Sequence, residues 1–287
     1  MVSDGSSPGA TPSRWISTEL GTRVISAVVL GLLALGTAYY GGWPFALFWL
    51  AAGLAVAVEW VTVTGVEPRR VLFGLLGGGL AVLTGMYLFQ AGLGASLGVA
   101  GLVLALVLLV ARAGRDRAWA ACGFVYAAVI AIIPPLVRDH AALGLVGLLW
   151  MFAVVWTTDV AAYFTGRRLG GPKLWPSVSP KKTWSGFMGG LIAGTLAGLA
   201  VVWVAESLGW AAPAGLAFIA AATAVASAAS QLGDLGESAL KRKFNVKDSS
   251  HLIPGHGGVM DRIDGFWAVA ALMGVGLAGM RLAQGTA

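Results

Sequence analysis

The sequence predicts an all-α protein that crosses a membrane about nine times, with its N-terminus on the cytoplasmic side. Three observations lead there. First, 57% of the 287 residues are hydrophobic and only 11% are charged, whereas a soluble domain carries about 25% charged residues. A mean hydropathy of +0.81 leaves too little polar surface to cover a water-soluble core. Second, the apolar runs have the length of spanning helices, about 20 residues, and lack the ten-residue alternation of barrel strands. Lipid offers the backbone no hydrogen-bond partner, so only helices or closed barrels can span it. Third, with nine spans, 17 of the 19 Lys and Arg residues fall on the side of the N-terminus, and only Arg138 and Arg281 fall on the other. Such an excess marks the cytoplasmic side.

In chain order, residues 1–20 form a Ser-, Gly- and Pro-rich tail, expected to be disordered and cytoplasmic. The apolar run behind it lacks a small-residue cleavage site and reads as a retained span. The expected spans are 22–40, 44–63, 71–90, 95–110, 119–137, 143–165, 187–204, 211–232 and 265–281. Five of them make an N-terminal transmembrane region, 21–142, and the rest belong to a catalytic region, 143–287, with active-site loops on the cytoplasmic side. The 42 glycines suit helices that pack closely in lipid. The single cysteine, Cys122, lies in an apolar run as a packing residue and gives no sign of an oxidising compartment. The net charge of +6 is topological or faces anionic ligands. Basic and aromatic residues do not interleave as in single-strand binders, so no nucleic-acid partner is expected. No inverted repeat of the transporter kind is visible.

The chemistry concentrates between 231 and 264. That stretch holds five of the thirteen acidic residues (Asp234, Glu237, Asp248, Asp261 and Asp264), five basic residues and two of the three histidines. Asp234 and Glu237 are spaced i, i+3 at the end of span eight, and Asp261 and Asp264 are spaced likewise where span nine begins. If the helices persist there, each pair shares a face. Clustered hard oxygen donors suit Mg²⁺, which takes one or two carboxylates together with substrate phosphates. The alternative is that these acids simply pair with Lys241, Arg242 and Arg262. The turn Pro254, Gly255, His256, Gly257 and Gly258 can present backbone N–H groups to an anion at the start of span nine. His256 is read as a binding or shaping residue rather than a general base. Lys241, Arg242, Lys243 and Lys247 form a positive collar.

A second cluster lies around the loop between spans six and seven. Asp159 falls inside an apolar helix, where an unpaired carboxylate is costly, and Tyr163 stands one turn further along the same face. Lys181 and Lys182 follow a Ser-Pro turn and suit a phosphate-rich ligand. Glu59, near the cytoplasmic end of span two, is a further buried-acid candidate.

The run from Ser238 through Lys241, Arg242, Lys247, Asp248, Pro254, Gly255, His256, Gly257, Gly258, Asp261 and Arg262 to Asp264 resembles the phosphatidate cytidylyltransferase (CDP-diacylglycerol synthase) family in residue types and spacing. Asp159, Tyr163, Gly166 and the segment 179–183 are similar as well. Ser185 departs from the family pattern, in which Glu often follows the Trp. The resemblance implies Mg²⁺-dependent transfer of the cytidylyl group of CTP to phosphatidic acid, in a multi-pass inner-membrane protein of bacterial type and in a homodimer. It implies metal at Asp234 and Asp261. With the spacing argument, the expected metal set is Asp159, Asp234, Glu237, Asp261 and Asp264, in a two-metal arrangement that a monovalent cation could join. The expected catalytic residues are Lys241, Arg242, Asp248, His256 and Arg262. The expected substrate-binding residues are Tyr163, Lys181, Lys182, Ser238, Lys247, Gly255, Gly257 and Gly258. Competing readings are a CTP-dependent lipid or polyprenol kinase and, in a different class, a secondary transporter, whose acids would be spread across the spans.

Overall fold

A computed structural model describes residues 13–210, 215–255 and 257–285. Its elements are α1 (Ser13–Tyr40), α2 (Gly42–Thr64), α3 (Arg69–Leu88), α4 (Leu93–Val110), α5 (Arg115–Arg138), α6 (Gly144–Leu169), β1 (Lys173–Trp175), β2 (Ser179–Thr183), α7 (Trp184–Ser207), α8 (Leu216–Lys243) and α9 (Met260–Gly285). Among the described residues, nine helices are long and apolar enough to cross a membrane, matching the expected spans one for one. Residues 1–12 of the expected tail and His256 lie outside the described residues.

Local chemistry sets the helix ends. α2 stops at Gly65, whose φ of 66° is open to glycine at little cost and whose N–H reaches back to Val61 O at 3.1 Å. α6 stops at Gly170 in the same left-handed half of φ space. Thr183 caps α7 by accepting a hydrogen bond from Gly186 N at 3.1 Å. The largest shift from expectation is in α8, which runs to Lys243 instead of ending near residue 232. Hydropathy sees only the apolar part of a helix. The polar last turns stay helical because their apolar positions, Leu235 and Leu240, remain buried.

Two apolar cores hold the bundle. One gathers α2, α3, α4 and α5, with Leu240 of α8 and Met260 of α9. The other joins α1, α2, α5, α6, α8 and α9 around Trp49, which stacks on Phe266 at 4.8 Å between ring centroids. The most extensive helix pair is α6 with α7. α7 presents Gly186, Gly190, Gly194 and Gly198, all buried, at four-residue intervals. A Cβ on Gly190 would come within 2.9 Å of Thr158 O, so this face works only with small residues. Between α6 and α7 the chain forms an antiparallel hairpin, pairing Lys173 with Thr183 and Trp175 with Ser179. The sequence reading treats this stretch as loop, because strands of three and five residues are too short to declare a period.

Candidate active site

Four helices converge where polar side chains and a glycine contact join them inside an apolar bundle. Thr158 of α6 and Ser227 of α8 share a hydrogen bond at 2.8 Å. Gln231 of α8 donates to Phe187 O of α7 at 3.2 Å. Where α8 meets α9, Gly233 lies so close that a Cβ would fall 2.6 Å from Asp264 O. These contacts bring Asp264 (α9) within electrostatic reach of Asp234 and Glu237 (α8) and of Asp159 (α6), with Lys182 and Arg262 offsetting the charge at Asp159.

Around these acids stands a set of ion pairs. Lys182 of β2 meets Asp234 Oδ2 at 2.6 Å, and Ser238 Oγ donates to Asp234 Oδ1 at 3.4 Å. Lys241 lies between two carboxylates, Glu237 and Asp261, at 2.7 Å from each. The Glu237 side chain is 1% exposed, so the lysine is its charge compensation. Asp261 also accepts from Ser249 N at 3.0 Å and from Gly258 N at 2.8 Å. Its oxygens are taken up in organising the loop before α9.

Glu59 of α2 is the other organiser. Buried, it accepts from Ser250 Oγ at 2.6 Å and Val259 N at 2.8 Å through Oε1, and from Met260 N at 2.7 Å and Ser249 Oγ at 3.3 Å through Oε2. The N–H groups of Gly258, Val259 and Met260 are thus directed at carboxylates of the protein itself. A carboxylate at this position complements the positive end of the α9 dipole.

The remaining sequence candidates divide. Lys181 and Lys182 are neighbours on a strand and point to opposite faces; Lys182 enters the site and Lys181 is exposed. Tyr163 is exposed and accepts from Arg167 Nη1 at 2.9 Å. Arg242 reaches Val178 O and Val246 O, each at 3.5 Å, and so links the end of α8 to the hairpin. Ser185 donates to Gly170 O at 2.5 Å, closing the hairpin against the end of α6. Lys247, Asp248, Gly255, Gly257 and Arg262 line a polar cavity of about 350 Å³, together with Arg23 and His251. Ser249, Ser250 and Arg23 carry no motif signal. Their placement comes from contacts across most of the chain.

Among the described residues, no three acidic, His or Cys side chains converge as a ready-made metal cage. Mg²⁺ does not need one, since it commonly takes one or two carboxylates and completes its shell with water and phosphate oxygens. The hard oxygens of Asp159, Asp234 and Asp264 fit that demand. Among the described residues, the Asp264 carboxylate accepts from the adjacent Gly265 N, at 2.7 Å. Asp234 is paired with Lys182, and Asp261 and Glu237 with Lys241.

Residues 21–278 match the model of the cytidylyltransferase family. The phosphatidate cytidylyltransferases of Brucella suis biovar 1 and of Brucella abortus strain 2308 are each 44% identical to this chain over 259 residues, covering 89% of it and 92% of the relative. That of Staphylococcus haemolyticus is 42% identical over 132 residues, 46% of this chain and 49% of its own length. With a family match over most of its length and a full-length relative at this identity, the chain belongs to the cytidylyltransferase family.

Proposed function

We propose that this protein transfers the cytidylyl group of CTP to phosphatidic acid, releasing pyrophosphate and forming CDP-diacylglycerol. The observation that carries the reading is the acidic triad of Asp159, Asp234 and Asp264, flanked by Lys182 and Arg262, within a chain 44% identical to phosphatidate cytidylyltransferases. The site faces the cytoplasm, on the ground that the Lys- and Arg-rich loops after α2, α4, α6 and α8 share its side.

The reaction joins an oxygen of the lipid phosphomonoester to the α-phosphorus of CTP and breaks that phosphorus's bond to the β-bridging oxygen. The nucleophile is already anionic near neutral pH, so no residue is required as a base. The obstacle is bringing two polyanions together. Asp159, Asp234 and Asp264 would hold Mg²⁺, which supplies charge neutralisation at the reacting phosphates when bound. Lys182 and Arg262 add fixed positive charge, so that catalysis rests on positioning and electrostatics. Lys241 keeps Glu237 and Asp261 compensated, and Glu59 fixes the start of α9 that carries Asp264. The acyl chains stay in lipid, since exposing them to water costs about 0.8 kcal/mol per methylene.

The test is purified protein in detergent with phosphatidic acid, Mg²⁺ and CTP labelled at the α-phosphate. Chelator-sensitive label in the lipid, with pyrophosphate released, supports the reading. Label reaching lipid only from γ-labelled CTP makes the protein a kinase instead, and no transfer from folded protein rejects both.

A further inference from the structure

The first half of α1 is docked on the glycine turn that precedes α9, across more than 200 residues of sequence. Ser26 Oγ donates to Pro254 O at 3.2 Å. Gly255 sits at φ +76, and a Cβ on it would come within 3.0 Å of Arg23 Cγ. Glycine is therefore needed twice at 255, for its backbone conformation and for the close approach of α1. The result is that Arg23 forms one wall of the polar cavity whose other cations are Lys247 and Arg262, with Asp248 as the carboxylate lining it. Among the described residues, three cationic side chains line the cavity beside the one carboxylate of Asp248. Among the described residues, only Ile253 and Pro254 add apolar side chains to its lining.

Resting on the cytidylyl-transfer reading, we propose that Arg23 is a substrate-binding residue that reaches in from α1 to grip a phosphoryl group. A guanidinium presents a fork of donors matched to phosphate oxygens. An arginine that served only to anchor the helix end would need no cavity in front of it. The ligand is a phosphate oxyanion, supplied either by the triphosphate of CTP or by the lipid headgroup.

The experiment compares wild type, Arg23→Ala and Arg23→Lys as full-length protein in detergent. KM for CTP, KM for phosphatidic acid and kcat are measured, together with calorimetric binding of pyrophosphate. Losing charge-assisted hydrogen bonds to phosphate is expected to raise one KM by roughly tenfold to a hundredfold in Arg23→Ala, with partial rescue in Arg23→Lys. A rise confined to CTP, with weakened pyrophosphate binding, assigns the pocket to the nucleotide. A rise confined to phosphatidic acid assigns it to the lipid headgroup. Unchanged KM values for both substrates, or a fall in kcat alone, overturn the proposal. If wild-type protein transfers no label yet binds pyrophosphate in an Arg23-dependent way, the pocket stands and the activity reading fails.

Discussion

Replacing Glu59 with Gln tests whether one buried carboxylate on α2 builds the start of α9. The substitution keeps shape and volume and removes the charge. Each Glu59 oxygen accepts from one serine hydroxyl and one backbone N–H: Ser250 and Val259 at Oε1, Ser249 and Met260 at Oε2. A hydroxyl can reverse and accept from the new amide, but a backbone N–H cannot. Whichever oxygen becomes NH₂, one buried N–H loses its acceptor and faces another donor, at a cost of about 1–3 kcal/mol. Removing negative charge from the positive end of the α9 dipole costs about 1 kcal/mol more. The expected total is about 2–4 kcal/mol, concentrated at residues 249–260. The assays are thermal unfolding in detergent and amide hydrogen exchange. Glu59→Gln should melt several degrees lower, with faster exchange at Val259 and Met260 than in the wild type. Equal melting and equal protection of those two amides would refute the reasoning.

Other perturbations follow from the same geometry. Lys241→Met leaves Glu237 and Asp261 without their shared cation. With Glu237 buried, this should destabilise the fold by about 3–5 kcal/mol, read by denaturation in detergent, with no loss if the pairing is incidental. Lys182→Ala should lower kcat/KM at least tenfold, a loss of about 1.4 kcal/mol in transition-state stabilisation, while Lys181→Ala should change it far less. Equal effects would contradict the strand geometry that sends them to opposite faces. Gly194→Ala places a methyl group against Thr158 and Ser227, whose side chains bond to each other at 2.8 Å. It should cost about 1–3 kcal/mol in thermal stability; a variant as stable as wild type would show that α6 and α7 separate freely.

The sequence by itself determined the membrane class, the nine spans and most of the candidate site residues. Each of these is written locally: apolar runs of helix length, basic loops between them, and a spaced motif from Ser238 to Asp264. It also paired Asp234 with Glu237 and Asp261 with Asp264 by helical periodicity, and α8 does continue through the first pair. Tertiary structure decided which of these groups face one another. Periodicity puts Asp261 and Asp264 at the start of one helix, but only packing directs Asp261 to Lys241 and brings Asp264 within electrostatic reach of Asp234, Glu237 and Asp159. Adjacent Lys181 and Lys182 look equivalent until a five-residue strand splits them. Glu59 could be marked as a buried acid, yet its partners stand about 190 residues away. Such pairings arise where small residues let helices touch: Gly190 against Thr158, Gly233 against Asp264, Gly255 against Arg23. A glycine in the sequence states only that a close approach is permitted. Which chain makes that approach is settled by burying the apolar faces of all the helices at once.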